Sequence, residues 1–344
     1  MKPLFRKRIV VSTLFLGLLV LGACSPAEQV ASGQGNASEA GTKTLTLAHI
    51  HNDASPVYQS LEEFAEKVEE KTNGSVNIKI YAEGVLGGET KVMELVQNGV
   101  IDMTKVNGGV VSQFEQTFSV FSLPYVFRND EHFRKFMETD TVKQMYKDLK
   151  DVQLRGVTYY DAGARSFYTG ETKVETPEDL EGLKIRVMNN VTAIQMVEML
   201  GAAPTPMSAT EVYTSLQQGI IDGAESSPIA LTDANHGEVA KQFSFDEHTR
   251  IPDFLIMSNA SWNKLNKSEQ QALIEAGEET TKTHNERWDQ MIEASIDQAR
   301  EEMGVEFSNP DQAPFRELVE PLLQDRRKEN PAIDTLLKKI EAIQ

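Results

Sequence analysis

The sequence contains a single cysteine, Cys24, among 344 residues. One thiol excludes an intramolecular disulfide, a cysteine-rich metal centre and a Cys-x-x-Cys redox pair. The chain also lacks a Gly-x-Ser-x-Gly element, a Gly-x-Gly-x-x-Gly element and a phosphate-binding loop, which are common signs of hydrolases and nucleotide-binding enzymes. We therefore expect a protein that is not an enzyme and that uses no cofactor.

Histidine is scarce too, with six residues, and two of them form the pair His49-x-His51. Alternation along a strand would put both imidazoles on one face, but zinc needs at least a third ligand. No such ligand follows at a suitable spacing, so we expect no metal site. Ser261–Lys264 matches the Ser-x-x-Lys element of penicillin-binding enzymes without its two companion motifs, and we interpret the match as chance.

Positive charge is the minority sign, since 34 Lys and Arg residues stand against 52 Asp and Glu residues, giving a formal charge of −18. Such an acidic surface repels nucleic acid and anionic lipid headgroups, and it argues against both as partners. A site for an anionic ligand would have to be a local positive pocket within this negative surface.

Long apolar runs are missing except for Ile9–Leu21, which follows a basic N-terminal segment. This run is shorter than the roughly 20 residues of a membrane-spanning helix, and it is typical of an export signal. Residues 21–24, Leu-Gly-Ala-Cys, resemble the lipobox of bacterial lipoproteins, which implies acylation of Cys24. We predict a lipoprotein signal peptide over residues 1–23 and a lipid anchor on the outer face of the cytoplasmic membrane, or export to a periplasm. An ordinary signal peptide with an incidental cysteine is the alternative.

The segment 24–42 is rich in Ala, Ser, Gly and Gln without apolar periodicity, which predicts a flexible tether. After it, strand and helix patterns alternate, as in the helix Val57–Lys71 followed by the strand Val76–Tyr81. This alternation predicts an α/β architecture with mostly parallel sheets. Ligands of such sheets bind beyond the carboxyl ends of the strands.

A helical pattern over Ser268–Met303 predicts a helix of some 35 residues, about 50 Å long at 1.5 Å per residue. Such a helix could span two lobes, although Gly277 could instead divide it into two helices. Because Gly277–Arg287 is nearly all polar, we expect this part of the helix to cover little core.

One arginine stands out because it lies inside a short apolar strand. Arg186 is flanked by Ile185 and Val187, and a buried guanidinium is costly unless an anion meets it. The anion could be a ligand carboxylate or a nearby acidic side chain such as Glu181. Arg165 follows the strand pattern that ends near Tyr160, where a ligand-facing loop is expected, and it too could make a surface salt bridge instead.

Several segments around Arg186 together resemble the TRAP transporter solute-binding proteins of the DctP type. They appear in order over roughly residues 43–310 and comprise Gly84–Glu89, Leu123–Arg128, Lys184–Val187, Leu200–Ala202, Pro204–Met207, Glu211–Tyr213, Leu216–Gln217, Gly219, Asp222–Glu225 and Trp262 with Leu265 and Gln270.

The resemblance implies a two-lobed, periplasmic-binding-protein-like fold of type II character that closes over an organic acid, with a long lobe-spanning helix. We predict lobe I over residues 43–163, with roughly 251–290 returning to it. Lobe II would hold residues 164–250 and the C-terminal helices, roughly 291–344. The resemblance also implies delivery of the acid to a sodium-driven TRAP permease.

By resemblance, Arg186 clamps the ligand carboxylate and Arg165 assists it, while Ser226 stands where the family usually has a carboxylate-binding asparagine. The segments 160–168 and 246–252 resemble the branch that binds sugar acids, so the expected ligand is a hexuronate such as glucuronate or galacturonate. Alternatives are a C4-dicarboxylate or another carboxylate as the ligand, and a role as ligand-sensing partner of a membrane receptor. Further side chains that could bind a hydroxylated acid are His51, Glu89, Asn107, Asp246 and His248. We expect the protein to be a monomer.

Overall fold

The computed structural model describes residues 42–53 and 55–344. The predicted signal peptide, Cys24 and the tether up to residue 41 lie outside the described residues. In the part that is described, no helix combines the length and the apolar character needed to cross a bilayer.

The described residues form eleven strands in two sheets, and together with the helices this confirms the predicted α/β class. The first sheet has the order β2-β1-β3-β10-β4, with β1 (Lys43–Ala48), β2 (Val76–Tyr81), β3 (Met103–Asn107), β4 (Leu154–Tyr160) and β10 (Asp253–Ser258). The second sheet has the order β11-β9-β5-β8-β6-β7, with β5 (Ala164–Thr169), β6 (Lys184–Val187), β7 (Ala203–Pro206), β8 (Gly223–Ser226), β9 (Gln242–Arg250) and β11 (Glu306–Ser308).

Both sheets are mixed, which corrects the expectation of mostly parallel pairing. In the first sheet β1 runs parallel to β2 and β3, but β10 is antiparallel to both of its neighbours. In the second sheet β6 is parallel to β7 and β8, whereas β5 is antiparallel to β8 and β9. After β9 of the second sheet, the chain returns to the first sheet as β10, which lies antiparallel between β3 and β4. The alternation of strands and helices along the sequence does not reveal the direction of such a strand.

In the described part of the chain, twelve α-helices cover the sheets. They are α1 (Pro56–Lys71), α2 (Glu89–Gln97), α3 (Gly108–Val111), α4 (Asp130–Met137), α5 (Asp140–Asp148), α6 (Val191–Met199), α7 (Val212–Gln217), α8 (Ile229–Asp233), α9 (Asn259–Trp262), α10 (Lys267–Glu301), α11 (Gln312–Glu329) and α12 (Pro331–Glu341). Short 3-10 turns connect several of them, including Gln116–Ser122 and Ala209–Glu211.

The long helix α10 spans the two lobes in one piece, as predicted. Its first turn is closed by a capping box between Asn266 and Glu269. The helix continues through Gly277, where hydrogen in place of a side chain lets it approach β4. A Cβ atom at Gly277 would lie 3.0 Å from Cβ of Thr158.

One face of the polar middle of α10 is buried, contrary to the expectation that this part of the helix covers little core. Thr281 donates to the carbonyl oxygen of Tyr159 at 2.7 Å, and its hydroxyl lies 2.6 Å from that of Thr158. The ring of His284 bridges Ser60 and the Asp161 carbonyl, at 2.9 Å each. Buried polar side chains are tolerated when they are hydrogen-bonded. The polar composition of this segment was therefore a poor guide to its burial.

The last two helices divide between the two sheets. α11 places Phe315 and Val319 in the apolar cluster of the second sheet. Ile333 and Leu337 of α12 instead pack into the cluster around Phe121 beside the first sheet. The chain end therefore returns to the first sheet, which differs from the expected grouping of residues 291–344.

Candidate ligand-binding cleft

A cavity of about 340 Å³ is bounded by residues of both sheets. Six of the eight predicted ligand-binding residues line it, and they come from α2, from the strands β3, β5, β6 and β8, and from the loop after β1. They are His51, Glu89, Asn107, Arg165, Arg186 and Ser226.

Arg186 is 7% exposed and lies at the cavity without an acidic partner. Its Nε and Nη2 atoms both donate to the Met207 carbonyl oxygen, at 3.1 and 2.8 Å. Within the described chain no carboxylate, Glu181 included, forms a salt bridge with it. Burial lowers the pKa of Arg186, which still leaves an arginine fully charged at any physiological pH. The alternative of a structural ion pair with Glu181 is therefore wrong.

Arg165 is already paired. Its Nε donates to the Glu225 carboxylate and its Nη2 to the Glu225 carbonyl oxygen. Burial would raise the pKa of Glu225, but Arg165 and His248 outweigh that effect and hold it at about 2. Arg165 also lines the cavity, and the two contacts with Glu225 hold its guanidinium in place there.

Asp246 and His248 lie behind this pair and do not line the cavity, which corrects their expected role as ligand contacts. Both side chains are 0% exposed. The His248 Nδ1 atom lies 2.7 Å from Asp246, and its Nε2 atom lies 3.5 Å from Glu225. Burial alone would lower the pKa of His248, but the two carboxylates raise it to about 9. The chain of alternating charges holds Arg165 in place from behind.

The first sheet contributes a buried lysine with two carboxylates. Lys105 is 1% exposed and donates to Glu89 at 3.0 Å and to Asp253 at 2.9 Å. The Asn107 amide donates to the second oxygen of Asp253 at 3.2 Å. Burial alone would lower the pKa of Lys105, but the carboxylates of Asp253 and Glu89 outweigh this effect and raise it. This wall of the cavity is therefore rich in carboxylate acceptors.

His51 lies between Asp253 of this wall and a further carboxylate, Asp233. Its Nδ1 atom lies 3.3 Å from Asp233 at the end of α8, and its Nε2 atom lies 4.0 Å from Asp253. Among the residues that the structure describes, no group of three or more His, Cys, Asp or Glu side chains is arranged to hold a metal ion.

Sequence reasoning gave no role to several residues that shape the cavity. Lys105 carries the same signal as Arg186, a charged residue inside a buried strand, and Glu225 stands in a segment that contributed to the family resemblance. Tyr168 donates to or accepts from His236 at 2.7 Å, beside Arg186, and burial and that arginine lower the pKa of His236 to about 4. Tyr213 likewise stands in a segment of the family resemblance, and further cavity residues without such a signal are Thr210, Ser227, Asp233, Asp253 and Trp288.

Comparison with known proteins shows the family to which this chain belongs. Residues 47–330 match the family described as bacterial extracellular solute-binding protein, family 7, or DctP. The chain belongs to this family. Protein YiiZ of Salmonella typhimurium is 42% identical over 303 residues, covering 88% of this chain and 92% of that relative.

Solved structures of TRAP solute-binding proteins resemble this chain over most of its length. A TRAP periplasmic solute-binding protein from Anaerococcus prevotii, with bound α/β-D-glucuronate, has a TM-score of 0.85 and 34% identity, covering 87% of this chain and 97% of its own. One from Xanthobacter autotrophicus, with bound β-D-galacturonate, has a TM-score of 0.84 and 31% identity, covering 87% and 100%. Members of the DctP family are extracytoplasmic receptors that bind small organic acids and work with a TRAP permease.

Proposed function

We propose that this DctP protein captures a hexuronate, such as glucuronate or galacturonate, and delivers it to a sodium-driven TRAP permease. The observation that carries the proposal is Arg186, a buried cation at the cavity whose protein partner is a carbonyl oxygen and not a carboxylate. A ligand carboxylate would supply the missing negative charge, and Arg165 would be a second donor to it.

The uronates bound to the two structural neighbours support this ligand class. The cavity volume of about 340 Å³ falls in the range of small-molecule sites, about 300–1,000 Å³. Its polar lining, with Asn107, Tyr168 and Ser226 besides the charged groups, offers partners to a sugar ring. Ser226 is shorter than the usual asparagine, so a water molecule or a shifted ligand would fill the difference.

The proposal includes four further points that rest on the sequence. The protein binds its ligand without turnover, since no nucleophile and base pair emerges from the motifs. Cys24 carries a lipid anchor, so the receptor stays at the outer face of the cytoplasmic membrane. Residues 24–42 act as its tether. The receptor works as a monomer.

Titration calorimetry with D-glucuronate and D-galacturonate tests the central step. Charge-assisted hydrogen bonds contribute about 1.5–3 kcal/mol each, so Arg186→Ala should weaken binding by roughly 100-fold or more. Arg186→Lys, which keeps the charge but loses the planar fork, should also bind weakly.

Arg300→Ala is the matched control, because Arg300 is an exposed arginine of α10 paired with Asp297 at 3.2 Å. It should bind as the parent protein does. If Arg186→Ala folds and binds the acid within a few-fold of the parent, the clamp is not the source of affinity and the proposal is wrong.

A further inference from the structure

The wall of the cavity next to the first sheet carries an excess of negative charge. Glu89 and Asp253 share the buried lysine Lys105, and Asp233 has His51 as its neighbour. All five side chains line the same cavity as the two arginines. The cavity is thus polarised, with cations on the second sheet and an acidic wall, formed by Glu89, Asp233 and Asp253, beside them.

The acidic wall retains acceptor capacity. Contacts within the protein engage Oε1 of Glu89 and Oδ2 of Asp233. Within residues 42–53 and 55–344, no hydrogen bond reaches Oε2 of Glu89 or Oδ1 of Asp233, so these oxygens can accept from a donor on a ligand. An ionised carboxylate only accepts hydrogen bonds, so the group that satisfies it must be a hydroxyl, an amine or an amide N–H.

We propose that the acidic wall selects acids that have one carboxylate and a neutral, hydroxylated far end, and that it rejects dicarboxylates. The inference rests on the proposed function, because the arginines must hold the first carboxylate. At an effective dielectric constant of about 20, two negative charges about 5 Å apart repel enough to weaken binding on the order of 100-fold. Hydroxyl groups in the same place donate to the carboxylates instead. Specificity therefore comes from a repulsive element as well as an attractive one.

Titration calorimetry with chemically matched acids tests the proposal. D-glucuronate and D-galacturonate have one carboxylate, D-glucarate and galactarate have a second carboxylate on the same six-carbon skeleton, and succinate and malate are short dicarboxylates. The parent protein should prefer the uronates by about 100-fold or more. Glu89→Gln and Asp233→Asn should narrow that preference at least ten-fold, mainly through tighter binding of the dicarboxylates.

Glu94→Gln is the matched control, since Glu94 is an exposed residue of the same helix α2, paired with Lys91 at 3.2 Å. It removes one negative charge outside the cavity and should leave the preference unchanged. Two different variants guard against a folding defect in either one, and thermal unfolding checks both.

The outcomes separate this inference from the proposed function. Binding of glucarate, galactarate or succinate within ten-fold of the uronates, still abolished by Arg186→Ala, overturns the acidic-wall proposal and leaves an arginine-clamped acid receptor. An unchanged preference in both wall variants also overturns it. If no acid of either kind binds, the proposed function fails and the inference fails with it.

Discussion

Raising the pH should destabilise the protein through a single histidine, His248. Its ring is fully buried between Asp246 at 2.7 Å and Glu225 at 3.5 Å, and these carboxylates raise its pKa to about 9 against the burial that would lower it. In the unfolded chain the pKa returns to about 6.5. Deprotonation in the folded protein would leave Glu225 and Asp246 with one fewer cation between them.

The sign and size follow from this difference in pKa. A raised pKa in the folded state contributes stability that is fully present below about pH 6.5 and is lost as the pH rises through about 9. A difference of some 2.5 units corresponds to about 3 kcal/mol in total. Of this, about 2 kcal/mol should disappear between pH 7.5 and pH 9.5.

Urea unfolding at intervals over that pH range measures the effect. His248→Gln should be less stable than the parent at pH 7.5, and its stability should depend little on pH up to 9.5. His132→Gln is the control, because the pKa of His132 is lowered by burial and it does not titrate in this range. A parent protein whose free energy of unfolding stays constant from pH 7.5 to 9.5 would show that His248 is neutral in the fold.

Two further predictions concern the packing of α10 and the acid limb. Gly277→Ala should lower the free energy of unfolding in urea by about 1–3 kcal/mol, because the new Cβ would lie 3.0 Å from Thr158. This loss should outweigh the higher helix propensity of alanine. Equal or higher stability of the variant would show that β4 can move away. On the acid side, burial lowers the pKa of His236 to about 4, so its contribution is present above about pH 6.5 and is lost as the pH falls through about 4. His236→Gln should flatten the decline in stability between pH 6.5 and 4.5, and an unchanged slope would contradict this.

The sequence was sufficient to predict elements with strong periodicity. The strand Val76–Tyr81 has the predicted bounds, and the helix predicted over Val57–Lys71 begins one residue earlier. The helix α10 also agrees closely with its prediction. These elements bury a regular apolar stripe or alternate cleanly, so local pattern and tertiary environment favour the same structure.

Other features depended on partners distant in sequence. The antiparallel position of β10 between β3 and β4 depends on pairing with strands that are far away in the sequence. The buried polar face of α10 is stabilised by hydrogen bonds between residues more than 100 positions apart, such as Thr158 and Thr281. Hydrophobic periodicity does not contain this information, because it records where apolar groups are and not which polar groups find partners.

For the candidate site, the amino-acid sequence alone singled out Arg186 as a cation inside a short apolar strand, and it indicated the family to which the chain belongs. Tertiary structure decided which acidic groups neutralise which cations: Glu225 pairs with Arg165, His248 lies behind it, and Lys105 holds Glu89 and Asp253. The physical reason is that the sequence specifies where charges are placed along the chain. Their energies depend on distance and burial, and only the folded chain sets those.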